Sequence, residues 1–401
     1  MKYKLRFSLF FIAMALFNLA GNFAHPVTPT IIQNLNLPDY MFGLMLAVML
    51  LFNFLFSPFW AKMNLSISSR STLLICCLGY SIAQIGFACS KTQATILAAR
   101  MLAGFFSGGI YVSFLTYVIN AARAEDQAKY LTYSATIQAV SSAFGYLVGG
   151  LLGEFSIFGT FVMQALMVSA TGVMFRIVCL PDNQVSEKVS AVQTLRQTNP
   201  LQAFLDGKHF MNTAFVLLFS MNILTNFGNT GFDQVFNYYL KDQLGLTSSY
   251  NGTIKAVVGL ISFVANMTLC LWMIRKTDVR KSIVVTSLFC TAASVGALLI
   301  PEIKTFIAFS VLVYAGYSVS LPLLQHMVAV QADPVQKNLV MGFYNATKSL
   351  GSIIGSFLSG FLYSVQTKLP FAVVAVAYGI SILTALGYLF HNEQIRKSAK
   401  G

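Results

Sequence analysis

Residues 17–25 read Phe-Asn-Leu-Ala-Gly-Asn-Phe-Ala-His, and residues 221–229 read Met-Asn-Ile-Leu-Thr-Asn-Phe-Gly-Asn. Asn18 corresponds to Asn222 and Asn22 corresponds to Asn226, at the same spacing of four residues. Side chains four positions apart lie on the same face of an α-helix. The two stretches therefore indicate that one helix with an amide-bearing face is present twice in the chain.

The rest of the chain is strongly apolar. Of its 401 residues, 56% are hydrophobic and only 10% are charged, against about 25% charged residues in soluble proteins. Uncharged apolar blocks of 18 residues or more are typical of helices that cross a membrane. We predict twelve: Phe7–Ile32, Tyr40–Ala61, Ser71–Ala88, Thr95–Ala121, Leu131–Gly153, Ile157–Leu180, Met211–Leu240, Asn251–Ile274, Ser282–Ile300, Thr305–Val330, Met341–Ser364 and Phe371–Phe390.

The twelve helices divide into two similar sets of six. A polar connection, residues 181–210, separates an N-terminal bundle, 1–180, from a C-terminal bundle, 211–401. Gly145 and Gly150 in the fifth helix recur as Gly355 and Gly360 in the eleventh. Because six is even, equivalent helices run in the same direction, as in a parallel duplication. We predict an all-α membrane protein built from two pseudo-symmetric six-helix bundles.

The net charge of +13 reflects topology rather than nucleic-acid binding. With both termini inside, most of the 26 Lys and Arg residues fall in cytoplasmic segments. The opposite side carries Lys91, Lys241, Lys304 and Lys368. This asymmetry follows the positive-inside rule and predicts a multipass protein of the plasma membrane with cytoplasmic termini. A basic patch for nucleic acid is not expected.

Polar side chains inside the helices are the candidate binding residues. Amides facing lipid are costly, so they should face protein or a water-filled cavity. The candidates for substrate binding are Asn18, Asn22, His25, Tyr111, Gln138, Asn222, Asn226, Asn229, Tyr314, Asn345 and Lys348. The alternative is that these residues form interhelical hydrogen bonds, which contribute about 0.6 kcal/mol each on average.

Three charged residues within the predicted helices are candidates for coupling transport to proton movement. Asp233 is the best-placed acid for carrying a proton; the alternatives are a fixed ion pair with Lys255 or Lys348 and an aspartate already exposed to water outside the membrane. Lys348, near the middle of its helix, could bind an anionic group, neutralise Asp233 or change charge itself. Arg100 resists deprotonation, so it would anchor an anion, tune an acid or bind backbone carbonyls.

The sequence argues against several other classes of protein. The histidines are scattered, paired carboxylates are absent and no phosphate-binding Gly-Lys-Ser/Thr loop is present, so neither an intramembrane enzyme nor an ATP-driven pump is expected. The cysteines lack metal-ligand spacing, and we expect no metal and no cofactor. A channel and a non-transporting receptor are not excluded, but the duplicated halves favour alternating access.

Short motifs add a family resemblance over nearly the full length. The matching residues are Gly21, Pro26 and Pro29 in the first helix, Arg100, Gly104 and Gly108 in the fourth, and Gly145, Gly149 and Gly150 in the fifth. With the six-plus-six arrangement, these residues resemble the major facilitator superfamily, particularly its twelve-helix drug-exporter branch. Two departures are Leu65, in place of a family aspartate, and Tyr146, in place of a family proline.

The resemblance implies a secondary-active carrier in which Arg100 is linked to proton coupling. We expect proton-coupled export of a small neutral, zwitterionic or anionic compound, by a monomer in a lipid bilayer with protons as the coupling ion. Proton-coupled uptake of a polar metabolite, such as a sugar or organic acid, is the alternative, and a lipid-type flippase is a third. The excess of cations over acids within the helices argues against a dedicated exporter of cationic drugs.

Overall fold

A computed structural model describes residues 2–180, 190–300, 302–333 and 335–398, and α-helices make up most of these residues. The first half contains α1 Lys2–Gly21, α2 Thr28–Asn34, α3 Met41–Ser66, α4 Ser69–Cys89, α5 Gln93–Ala121, α6 Ala124–Phe155 and α7 Ile157–Val178. Two short helices follow, α8 Ala191–Gln197 and α9 Gln202–Asp206. The second half contains α10 Thr213–Asp242, α11 Ser248–Ala265, α12 Leu271–Lys276, α13 Val279–Leu299, α14 Ile303–Gln331, α15 Lys337–Val365 and α16 Leu369–Ser398.

Long apolar helices confirm the predicted fold class. Within the described residues, ten helices are long and apolar enough to cross a membrane, the seventh of them running from α11 through a π-helical turn into α12. Two further helices, α10 and α15, have 30 and 29 residues, although about 20 suffice to span the hydrocarbon core. Amide and hydroxyl side chains within their sequences make α10 and α15 less apolar than the other ten helices. The protein is a multipass membrane protein.

The prediction of one unbroken first helix over Phe7–Ile32 is wrong. The α-helix α1 ends at Gly21, residues 22–27 form turns, and α2 begins at Thr28. Pro26 explains the break, because it has no N–H to donate and its ring clashes with the carbonyl four residues earlier. Asn22 and His25 therefore lie beyond the end of the helix that carries Asn18.

The chain forms two compact units, each with its own hydrophobic core. Unit 1 comprises Met1–Leu37, Val48–Pro200 and Gly245–Gly259, and unit 2 comprises Pro38–Ala47, Leu201–Leu244 and Leu260–Gly401. The core of unit 1 includes the fully buried rings of Phe10, Phe114, Tyr117 and Phe175. The core of unit 2 includes Phe215, Phe219, Leu323 and Tyr344. The predicted bundle boundaries stay a prediction, and residues 181–189 of the predicted central loop lie outside the described residues.

Helices α3 and α11 each contribute residues to both units, and each packs through a glycine. In unit 2, a Cβ on Gly43 of α3 would lie 2.9 Å from Gly360 Cα of α15. In unit 1, a Cβ on Gly150 of α6 would lie 3.2 Å from Gly252 Cα of α11. Gly150 and Gly360 are equivalent positions of the sequence duplication, and each faces a glycine of a helix that contributes to both units. The duplication therefore extends to individual helix crossings.

The Gly351/Gly355 pair lets α15 approach α10 closely. A Cβ on Gly351 would overlap the Ile223 carbonyl oxygen, and one on Gly355 would overlap the Phe227 carbonyl oxygen. Small residues four apart allow this approach between membrane helices. The close contact brings the polar side chains of α10 and α15 within hydrogen-bonding distance.

Gly351→Ala should destabilise the protein by about 1–3 kcal/mol, because the added methyl group forces α15 away from α10. Thermal unfolding of the purified protein in detergent measures the effect. Gly342→Ala on the same helix is the matched control, since a Cβ there meets nothing within 4 Å. That variant should be neutral or slightly stabilising. Equal melting temperatures for the two variants would contradict the packing.

Candidate functional site

A buried hydrogen-bond network joins α10 to α15 in unit 2. Asn222 Nδ2 donates to the Tyr344 carbonyl oxygen at 2.9 Å and to Thr347 Oγ1 at 3.0 Å. Asn226 Nδ2 donates to Asn222 Oδ1 at 2.9 Å and to the Asn222 carbonyl oxygen at 2.8 Å. Asn222 is 0% exposed and Asn226 is 1% exposed. Asn222 therefore joins α10 to α15, Asn226 supports it from the same helix, and both amides are closed to a ligand in this structure.

Two tyrosines of α14 extend the network along α10. Tyr317 donates its hydroxyl hydrogen to Asn226 Oδ1 at 2.9 Å. Tyr314 donates to Asp233 Oδ1 at 3.0 Å, and Asn237 Nδ2 lies 3.4 Å from Asp233 Oδ2. The Asp233 side chain is half-buried. The carboxylate is therefore held by neutral donors while part of its surface stays accessible.

Helix α15 has two accessible faces of opposite character. Asn345 is exposed, and Lys348 and Ser352 are half-buried on the same face. We call these three residues the polar stripe of α15. On the opposite face, Ile354, Phe357 and Phe361 are 37%, 42% and 39% exposed. Apolar side chains can meet lipid, whereas an accessible stripe with a lysine and an amide requires water. We therefore expect the polar stripe to face water rather than lipid.

In unit 1, the predicted polar face of the first helix is divided by the end of α1. Asn18 is 1% exposed and donates to the Met14 carbonyl oxygen of its own helix at 2.8 Å. Asn22 is half-buried and donates to the Asn18 carbonyl oxygen at 2.7 Å. His25, also half-buried, stacks on Tyr146 with ring centroids 5.2 Å apart. The structure therefore does not place the three side chains on one helical face.

Arg100 is buried against an aromatic ring in unit 1. Its guanidinium carbon lies 3.9 Å from the centre of the Phe87 ring, and the residue is 6% exposed. Its Nε has no hydrogen-bond partner among the described residues. Stacking on an aromatic face partly compensates a buried guanidinium. Arg100 therefore belongs to the packing between α4 and α5, and its predicted link to proton coupling stays a prediction.

The remaining candidates differ in how accessible they are. On α5 of unit 1, Tyr111 is 42% exposed and packs edge-on against Phe17 and Phe114. Gln138 on α6 is half-buried, as is Asn229 on α10. Within unit 2, the structure places Asn222, Asn226, Asp233 and Tyr314 in one network, which also includes Tyr317 and Thr347. Those two were not among the predicted site residues, since isolated Tyr and Thr residues are too common in apolar helices to single out.

Comparisons with known proteins agree with this architecture. The model of the Major Facilitator Superfamily matches residues 9–305 and 218–401. The chain belongs to the major facilitator superfamily. It is accordingly a membrane transporter and not an enzyme, as predicted from the sequence.

Individual relatives of this transporter are distant but cover most of its length. It is 22% identical over 380 residues to "Multidrug resistance protein 1" of Bacillus subtilis (strain 168), covering 90% of each chain. It is 21% identical over 350 residues to "Tetracycline resistance protein, class B" of Escherichia coli, covering 84% of each. A bacterial homologue of the human lysosomal transporter Spinster matches in structure with a TM-score of 0.74 at 12% identity, covering 96% of this chain and 98% of that one.

Asn222→Ala should lower the stability of the transporter by about 1–2 kcal/mol, because it removes two hydrogen bonds to α15 and one acceptor for Asn226. The measurement is thermal unfolding without added ligand. Asn345→Ala, an amide removed from the polar stripe, should change stability by less than about 0.5 kcal/mol. A melting temperature unchanged by Asn222→Ala would show that the network contributes no net stability.

Proposed function

We propose that this transporter exports a small neutral, zwitterionic or anionic organic compound by alternating access, driven by proton entry. Relatives named for multidrug resistance and for tetracycline resistance support export. The accessible polar stripe of α15 carries the proposal, because a polar face that water can reach within a membrane helix would supply part of a path for a polar solute.

For substrate contact, we propose the accessible members of the predicted set. These are Asn22, His25, Tyr111, Gln138, Asn229, Asn345 and Lys348. Asn18, Asn222, Asn226 and Tyr314 are buried, so their proposed part is to hold the helices that present those side chains. A ligand can reach these four buried residues only if the helices separate.

Asp233 is the proposed proton carrier. Its carboxylate accepts a hydrogen bond from the neutral Tyr314 hydroxyl and is half-buried, so a proton can reach it without unfolding the helix. Asp233 is nine residues from the end of α10, or about 14 Å along the helix. A carboxylate at this depth can bind a proton from one side and release it to the other as access changes.

The distribution of basic residues supports the proposed orientation. We place the protein in the plasma membrane as a monomer with both termini in the cytoplasm, following the positive-inside rule. The ends of α1, α10 and α15 at residues 21, 242 and 365 then share the outer side, and the path opens toward either side in turn.

Asp233→Asn should abolish uphill transport driven by a pH gradient, because asparagine keeps the shape but cannot exchange a proton. Downhill exchange of the substrate should continue. The assay uses purified protein in liposomes under an imposed pH gradient, with tetracycline and a panel of neutral and anionic drugs as labelled substrates. Glu125→Gln, which alters an exposed acid, is the control and should behave as the native protein does.

Three results would contradict the proposal. Uphill transport by Asp233→Asn would remove the proton role. Accumulation that follows the proton gradient inward would show an uptake symporter instead. Absence of flux for the whole panel, in protein that melts cooperatively, would argue against export of drug-like compounds.

A further inference from the structure

Lys348 stands in an unusual position for a cation in a membrane helix. It lies 11 residues after the start of α15 and 17 residues before its end, or about 16 and 26 Å along the helix. Because the 29 residues of α15 exceed the length that the hydrocarbon core requires, these distances are upper limits on the depth of Lys348, which still lies well inside the helix. A charge at this depth costs several kcal/mol unless water or an opposite charge compensates it.

The structure provides Lys348 with no acidic partner. No carboxylate of the described residues lies within 4 Å of its ammonium group. Ser352, four residues after Lys348, bonds to Thr230, which is three residues before Asp233 on α10. Lys348 and Asp233 are therefore offset by about 10 Å along the two helices, and no ion pair joins them among the described residues.

The neighbours of Lys348 on the polar stripe add further donors. Asn345 precedes it by one helical turn and is exposed. Ser352 follows by one turn, and its oxygen accepts a hydrogen bond from Thr230 at 3.0 Å. A hydroxyl that accepts in this way keeps its own hydrogen to donate, and Ser352 has no acceptor among the described residues. The polar stripe thus offers three kinds of hydrogen-bond donor on one accessible face: the Lys348 ammonium, the Asn345 amide and the Ser352 hydroxyl.

We propose that Lys348, with Asn345 and Ser352, binds the carboxylate of an organic anion, and that the transported compound is an organic acid in its ionised form. This inference rests on the proposed transport function and narrows its substrate class. Lys348 supplies the charge, the two neighbouring donors orient the carboxylate, and the cation excludes positively charged compounds. The anion in turn compensates the lysine charge within the membrane.

The test uses pairs of aromatic acids and their neutral amides: benzoate with benzamide, salicylate with salicylamide, and nicotinate with nicotinamide. Binding to the purified transporter is followed by calorimetry and by the shift in melting temperature. At least one acid should bind the native protein ten times more tightly than its amide, since a hydrogen bond to a charged group contributes about 1.5–3 kcal/mol.

Two lysine variants distinguish charge from structure. Lys348→Ala should weaken the acid at least tenfold and leave the amide unchanged, while Lys348→Arg should restore most of the preference. Lys91→Ala, which alters an exposed lysine, is the control and should keep the native preference for the acid over its amide. Equal binding of acid and amide by the native protein, or an unchanged preference in Lys348→Ala, would overturn the proposal, and so would an absence of binding by all three acids.

Flux measurements separate this inference from the proposed function. If Lys348→Ala still moves neutral substrates along a proton gradient, the transport proposal stands whatever the outcome for the acids. If the variant selects acids as the native protein does but loses its response to pH, Lys348 carries a proton rather than an anion. That result would overturn the binding proposal alone.

Discussion

Polar groups buried in a lipid bilayer must be satisfied by protein or by water, and this constraint determines how α10 and α15 are used. Asn222 and Asn226 satisfy it through hydrogen bonds with α15 and α14, which the close approach at Gly351 and Gly355 makes possible. The polar stripe of α15 satisfies it differently, because Asn345 and Lys348 remain accessible on a face opposite to the apolar one. One helix therefore carries a buried interface, an accessible apolar face and an accessible polar face.

Much of the fold could be predicted from the sequence because apolar block length reports directly on membrane crossing. The block Ser71–Ala88 lies within α4, and Ser282–Ile300 nearly coincides with α13. The first block was interpreted wrongly because the apolar sequence continues through Pro26, although a regular α-helix does not. The candidate functional site was harder to predict from the sequence. Asparagines four residues apart fit both a binding face and interhelical hydrogen bonds, and only the neighbours, Tyr344 and Thr347 for Asn222, decide between these interpretations.

The duplication also includes the close packing of individual helix pairs, which the sequence alone does not show. Gly43 against Gly360 and Gly150 against Gly252 are equivalent crossings, one in each unit, and each involves a helix that contributes to both units. Around Gly43, Tyr238 donates to Asp39 at 2.7 Å and Ser356 donates to the Gly43 carbonyl oxygen at 2.8 Å. These residues all belong to unit 2, and the π-helical turn Asn266–Cys270 that follows α11 is an irregular segment at which that helix can bend.

The central claim is that the polar stripe of α15 lines water within the membrane. Single cysteines at Asn345, Lys348 and Ser352, compared with ones at Ile354, Phe357 and Phe361, test it most directly. The background must lack the six native cysteines, because Cys89 is exposed. In membrane fragments open on both sides, a charged thiol reagent should modify the first three positions readily and the second three slowly. Equal modification of both faces, or protection of all three polar-stripe positions, would contradict a hydrated path along α15.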